Sequence, residues 1–285
     1  MSDQSTLQTF DQLQRYVFTD HHVRGECVQL QTSFAEMIST GQYPTVISDL
    51  LGQLMAAASL LTATLKFEGE ISIQLQSEGV IKYVAVNGTH HQALRGTARW
   101  DGELTAQSLT KLLPNGLLVI TITPNVGERY QGVVALEKAS IAACIEDYFE
   151  QSEQLKTKVV LCCDPNQQRA AGLFLQVLPQ DATKAGIDFE HLATLTESVQ
   201  SEELLNLPAT EVLYRLYHQE KVELYQPQTV KFECSCSREK SLNALGSVPK
   251  EELLDIIRSD GEIAMHCQYC NTTYSFTEAD IYSEE

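Results

Sequence analysis

Two pairs of cysteines near the carboxyl end, Cys234-Ser235-Cys236 and Cys267-Gln268-Tyr269-Cys270, constrain this chain more than any other feature. Four soft thiolates in two short-spaced pairs are the donor set of a tetrahedral zinc ion, each pair biting from one side once the fold brings them together. Cys-X-X-Cys makes the turn of a zinc knuckle. Cys-X-Cys in an extended segment sets both sulfurs on one side, because side chains there alternate with a period of two. Structural core cysteines belong in apolar runs, yet these stand among Lys231, Glu233, Ser235, Ser237, Arg238 and Glu239, and beside His266 and Gln268. A thioredoxin-like redox pair needs a strand-to-helix junction, whereas Asn271 to Phe276 reads as a strand. His266 would be a surplus donor to a complete shell. The expected metal ligands are therefore Cys234, Cys236, Cys267 and Cys270, with one zinc per chain.

Composition bounds the rest. The 285 residues suggest two domains, and 43% hydrophobic residues supply a sizeable core, with no window that reads as long and apolar enough to span a bilayer. The expectation is a soluble protein. Met1-Ser2-Asp3-Gln4-Ser5 has neither the basic nor the apolar part of a secretory signal, which places the eight cysteines in a reducing cytoplasm. Of the net charge of −18, half falls in residues 201–285, which hold 16 acidic against 7 basic residues. Four thiolates on one zinc add to that excess. Phosphate backbones would be repelled, so nucleic-acid binding is not expected.

Leu7, Phe10, Leu13 and Val17 recur at helical spacing and predict a helix over Leu7–Phe18, followed by an alternating strand over Val23–Leu30. His21 and His22 fall between them, with no acidic or cysteine partner nearby in sequence, and read as a solvated turn. Pro44 to Leu65 predicts a buried core helix. The period then changes to two: Ile71, Ile73 and Leu75 alternate with polar residues, Val80 to Val86 pairs back, and Asn87-Gly88 signals a hairpin turn. Arg95–Trp100 reads as a strand and Leu104–Leu113 as a polar helix. Leu117–Thr123 and Gly132–Leu136 flank the turn Pro124 to Glu128, Ile141 to Phe149 carries a helical stripe, and strands Lys158–Cys163 and Leu173–Leu178 flank Asp164-Pro165-Asn166. Cys162 and Cys163 point to opposite faces of a strand, and with Cys27 and Cys144 they read as packing residues.

Beyond Pro179 the pattern is helical, with Phe189, Leu192, Leu195 and Val199 on one stripe and Val212, Leu213, Leu216 and Tyr217 on another. These faces have no strands of their own and must dock on something. The expected fold class is α+β. Residues 1–179 form an amino-terminal domain of antiparallel sheet with packed helices, 180–231 a helical linker region packed on it, and 232–285 a small zinc-binding domain. So small a core contributes only a few kcal/mol, whereas structural zinc contributes about 10–16 kcal/mol in zinc-finger peptides. No Ser-His-Asp-like cluster, paired carboxylates or phosphate-binding glycine loop stands out, so neither catalytic residues nor an ATP site are expected.

The spacing of Cys234, Cys236, Cys267 and Cys270 resembles the switch of the 33-kDa heat-shock protein family of redox-regulated chaperones. Further matches lie, in the right order, in Val23-Arg24-Gly25-Glu26, in Gly127 to Val134, in Leu192 to Glu197 and in Leu213 to His218. The resemblance implies a cytoplasmic, ATP-independent holdase, inactive while reduced and zinc-bound. Oxidation would pair Cys234 with Cys236 and Cys267 with Cys270, release zinc, unfold the zinc domain and linker, and uncover apolar surface for unfolding client proteins. It also allows a homodimer on activation. Thiolates are the form that peroxide or hypochlorous acid attacks, and a sulfenic acid at one cysteine has a neighbour two or three residues away to close on. Such short loops are strained and easily reduced again. The alternative is a structural zinc module that presents the linker helices to one fixed protein partner.

Overall fold

The apolar stretch expected as a buried helix runs as a helix over Thr45–Thr62, held between two six-stranded sheets. The computed structural model describes residues 10–64, 68–104, 108–178 and 182–282. These divide into two compact units, residues 1–232 and 233–285.

The first unit opens with the hairpin β1 (Gln12–Phe18) and β2 (Val23–Leu30), then α1 (Thr32–Ser39) and α2 (Thr45–Thr62). The antiparallel run β3 (Gly69–Gln76), β4 (Ile81–Thr89) and β5 (Ala93–Trp100) follows, then the single turn α3 (Leu109–Leu112) and the hairpin β6 (Leu117–Pro124) with β7 (Tyr130–Ala135). Next come α4 (Ile141–Tyr148), extended by a π-helical turn over Phe149–Glu153, and the hairpin β8 (Thr157–Asp164) with β9 (Arg169–Val177). Three helices, α5 (Ala182–Glu197), α6 (Ser201–Asn206) and α7 (Ala209–Tyr217), precede the short strands β10 (Val222–Leu224), β11 (Gln228–Thr229) and β12 (Lys231–Phe232). The first sheet has the order β10-β1-β2-β9-β8, with β11 also on β1, and the second the order β12-β5-β4-β3-β6-β7.

Strand alternation sorts side chains between layers. From β2, Val28 and Leu30 join the core around α2, while Val23 and Cys27 face the opposite side. That opposite side of the first sheet is covered by α5 to α7, through Phe189, Leu192, Leu204, Val212, Leu213 and Tyr217. Small residues Ala56-Ala57-Ala58 let α2 lie close to both sheets. By length and composition α2 could cross a membrane, contrary to the sequence expectation, yet 78% of it is buried within the fold.

Four local expectations are corrected. The helix predicted over Leu7–Phe18 is strand β1; Leu7 itself lies outside the described residues. The helical spacing counted Val17, which is half-buried, and passed over Tyr16 and Phe18, which are fully buried and alternate as strand residues do. Pairing with β2 and with the distant β10 outweighs the local pattern. Asn87-Gly88 lies inside β4, opposite Ser72 and Ile71 of β3. Gly88 serves close approach there, since a Cβ would sit 2.6 Å from Leu94 Cδ2 and 3.1 Å from Thr62 Cγ2. In Leu104–Leu113 the helix among the described residues is confined to Leu109–Leu112.

The fourth correction concerns His21, which is not a solvated turn residue but joins the β1–β2 turn to the helical cover. Its Nε2 lies 3.0 Å from Glu220 Oε2, whose other oxygen lies 3.0 Å from His191 Nε2, and its Nδ1 lies 3.1 Å from Asp188 Oδ2 without bond alignment. These partners are remote in sequence, so no local pattern could reveal them.

The second unit contains α8 (Arg238–Leu245), α9 (Lys250–Asp260), the hairpin β13 (Ile263–His266) and β14 (Thr273–Phe276), and α10 (Glu278–Tyr282). Ser237 starts α8 by accepting a hydrogen bond from the Lys240 N–H at 3.1 Å. The core comprises Leu245, Leu253, Ile257, Ile263, Phe276 and Ile281.

Two outcomes are expected. A Cβ at Gly25 would stand 2.1 Å from Tyr16 Cζ, so Gly25→Ala should displace that buried ring and destabilise the fold by about 1–3 kcal/mol in urea unfolding. Burial alone would lower the His21 pKa, but the carboxylates of Glu220 and Asp188 outweigh it and raise it. Its contribution is therefore complete below the ordinary value of about 6.5 and is lost as pH rises through the raised value. The Glu220 pKa is lowered, chiefly by the His21 hydrogen bond, so its contribution is lost as pH falls through that lowered value. Amide exchange in α5 should accordingly be slowest in mild acid, and His21→Gln should flatten the alkaline limb of that profile.

Candidate metal centre

The Cys-X-Cys pair follows β12 in an extended segment that Ser237 turns into α8, whereas the Cys-X-X-Cys pair occupies the β13–β14 turn. In that turn the Cys267 N–H donates to the Thr272 carbonyl at 2.9 Å and the Asn271 N–H to the Cys267 carbonyl at 2.8 Å. Asn271 takes a left-handed conformation, φ 56°, which asparagine tolerates better than most residues. The result is a tight knuckle that points both thiols the same way.

The structure brings the four predicted cysteines together: their sulfurs lie within 4.8 Å of one another. The printed close contacts cross between the pairs, 3.6 Å for Cys234 to Cys267 and 3.4 Å for Cys236 to Cys270. A disulfide would need about 2.05 Å, whereas the edge of a zinc–tetrathiolate tetrahedron is about 3.8 Å for bonds of about 2.3 Å. The spacing fits a quartet around a cation, and all four cysteines are free thiols. Soft sulfur in a tetrahedral set is compatible with zinc. His266 stays outside, its Nδ1 2.8 Å from Thr273 Oγ1.

Two neighbours escaped the sequence reading. Thr272 Oγ1 lies 3.2 Å from Cys270 Sγ, and Tyr274 Oη 3.2 Å from Cys236 Sγ. The signal was available, because residues 270, 272 and 274 alternate along the segment leading into β14 and share a side. Burial pushes the Cys270 thiol up, but hydrogen bonds from the Thr272 side chain and backbone, with those from Cys236 and Cys234, bring it down to about 6. Cys234 is pushed up to about 12, first by burial. Protein groups alone therefore support one thiolate and not four. A bound cation supplies the missing charge compensation.

The remaining cysteines differ in kind. Cys27 and Cys162 are buried, and burial pushes both up to about 12. Burial also raises Cys144 and Cys163, the latter packed against Gly52 of α2. They are protonated packing groups, as expected, with Cys162 and Cys163 on opposite faces of β8.

Comparison with known proteins places these features in one family. The family model described as "Hsp33 protein" matches residues 11–277. A 33 kDa chaperonin of Pseudoalteromonas atlantica is 54% identical over 282 residues, covering 96% of this chain and 95% of the relative. One from Shewanella sediminis is 55% identical over 272 residues, covering 95% and 94%. The crystal structure of a 33 kDa chaperonin from Thermotoga maritima superposes with a TM-score of 0.82 at 23% identity, covering 96% of this chain and 97% of the other. That last likeness concerns the fold.

Reduced protein should carry one zinc per chain, and serine at any of the four cysteine positions should weaken binding steeply. Tyr274→Phe, which keeps all four ligands, should weaken it by up to about 10–100-fold. Metal analysis during titration with a chelator checks both, and four serine variants with unchanged metal content would contradict the assignment.

Proposed function

Because the chain belongs to the Hsp33 family, we propose that it is a redox-regulated, ATP-independent holdase of the cytoplasm, silent when reduced and active when oxidised. It is a binding protein in this reading and not an enzyme. Its partners are unfolding proteins, with a homodimer forming on activation. Residues 1–179 act as the core domain, 180–231 as the releasable linker and 232–285 as the sensor. The observation that carries the reading is the cysteine quartet, which joins sulfurs 33 and 34 residues apart in a unit with a small core.

Zinc, when bound, compensates the charge of the four thiolates and cross-links the two ends of the unit. A thiolate of the quartet attacks peroxide, the O–O bond breaks, and a sulfenic acid and hydroxide result. A second thiolate attacks that sulfur and expels another hydroxide, leaving a disulfide. Two such events pair Cys234 with Cys236 and Cys267 with Cys270, once the quartet has opened enough for neighbours to meet. Sulfurs held in disulfides no longer ligate, and the unit loses its cross-link. Cys27, Cys144, Cys162 and Cys163 stay reduced because their buried thiols are protonated.

The sensor connects to the surface it controls through the chain itself. Between α7 and Cys234, β10 lies on β1, β12 lies on β5, and Val230 is buried in the core around α2. Loss of order after residue 232 frees this strap from its carboxyl end, and α5 to α7 are next. Their departure bares Tyr16, Phe18, Val23, Leu173 and Leu175 on the first sheet, together with the helices' own apolar faces. Each large side chain left uncovered is worth about 1.5–3 kcal/mol, which client chains can recover by binding. The acidic excess of residues 201–285 favours expansion and keeps the loaded complex dispersed.

Peroxide-treated full-length protein should suppress light scattering by a heat-unfolding test protein at near-stoichiometric ratio, and reduced protein should not. Peptide mapping of the active sample should give the two local disulfides and four free thiols. Activity with the quartet intact, or a dominant cross-pair such as Cys236 with Cys267, would overturn the reading. Full retention of metal under peroxide would favour a fixed structural module instead.

A further inference from the structure

Beyond the carboxyl end of α2, the space between the two sheets is not filled by side chains. A cavity of about 380 Å³ remains, lined by Leu61, Ile71, Ile120, Ile122, Phe149 and Val177. Its volume lies within the range of small-molecule sites, about 300–1,000 Å³. The lining is apolar except for a few groups, among them Arg24, Tyr148, Gln176 and Glu153.

Two of these polar groups carry buried atoms without a hydrogen-bond partner, Arg24 Nε and Tyr148 Oη. Tyr148 is 2% exposed, so water is not at hand to satisfy it. Burial, and then the neighbouring Tyr130 hydroxyl, hold the phenol well above its usual range, so it remains a donor at neutral pH. The Arg24 guanidinium gives one hydrogen bond, Nη2 to Gln176 Oε1 at 2.8 Å, and keeps its Nε–H uncommitted. Its carboxylate neighbour on the same face of β2, Glu26, is pushed by burial up to about 7 and so supplies only part of a counter-charge. Native proteins rarely leave such donors unpaired, and two in one apolar cavity call for an acceptor that enters it.

We infer that this cavity binds a small amphiphilic carboxylate, its alkyl chain between the sheets and its head accepting from Arg24 Nε–H and the Tyr148 hydroxyl. A carboxylate matches both donors and the arginine charge, whereas an alcohol of the same chain keeps the apolar contacts but lacks the charge. Arg24 belongs to the Val23-Arg24-Gly25-Glu26 stretch, which has no part in the cysteine chemistry. The inference stands apart from the redox reading.

Calorimetric titration of the reduced full-length chain with decanoate, and separately with decanol, tests it. Decanoate should bind at one per chain, raise the melting temperature saturably and bind at least about tenfold more tightly than decanol. Arg24→Gln should abolish that preference, and Tyr148→Phe, which keeps the ring over Gly132, should reduce decanoate affinity several-fold. Absence of saturable binding, equal affinity for acid and alcohol, or a preference unchanged in Tyr148→Phe and Arg24→Gln would overturn the assignment. The acid–alcohol comparison needs no variant, so it decides the matter even if Arg24→Gln does not fold.

Discussion

Four thiolates cannot share a space 4.8 Å across without a cation among them, and the carboxyl-terminal unit depends on that one attraction. Its apolar core contributes little by comparison. Arg238 adds some support, stacking over the Phe276 ring at 4.8 Å and reaching Asp280 at 2.9 Å, but this pair is exposed and weak. The same sulfurs are the chain's readiest nucleophiles, while the other four cysteines are quenched by burial. Stability and chemical sensitivity thus reside in the same atoms, so oxidation removes the interaction that the unit most needs.

A contrast between the two faces of the first sheet gives that event a consequence. One face packs on α2, inside a core that spans both sheets and draws on most of the chain up to residue 174. The other is covered by helices from residues 182–217, tied down by a few specific contacts. Gln29 Nε2 donates to the Leu204 and Leu207 carbonyls at 2.6 and 2.7 Å, Thr196 and Tyr217 share a hydrogen bond of 2.6 Å, and Tyr217 meets Phe18 edge-on at 4.9 Å. The His21–Glu220–His191 group holds the corner after α7. A cover fixed at a few points above a self-sufficient core can leave while the core persists.

Much of this was legible in the sequence, and the omissions share a cause. The quartet could be read because metal ligation imposes a spacing that no packing pattern imitates. Helix α2 and strand β3 were legible because their partners lie on both sides or on one, and hydrophobic period reports that directly. Strand β1 failed because its neighbours β2 and β10 decide its state, and β10 lies some two hundred residues away. Asn87-Gly88 misled because its glycine answers to Leu94 and Thr62, not to a turn. The acidic partners of His21 were invisible for the same reason. Local chemistry carries over into the fold, and pairing between distant segments does not show in a local window.

Hydrogen exchange read by mass spectrometry, on the same samples in which free thiols and metal are counted through a peroxide titration, tests the coupling most directly. The account predicts that amides in residues 189–217 lose protection in step with loss of four thiols and release of metal. Strands β3, β4 and β6 should keep theirs, and suppression of aggregation should rise along the same curve. Protection retained across α5 to α7 in a sample that suppresses aggregation fully would contradict it.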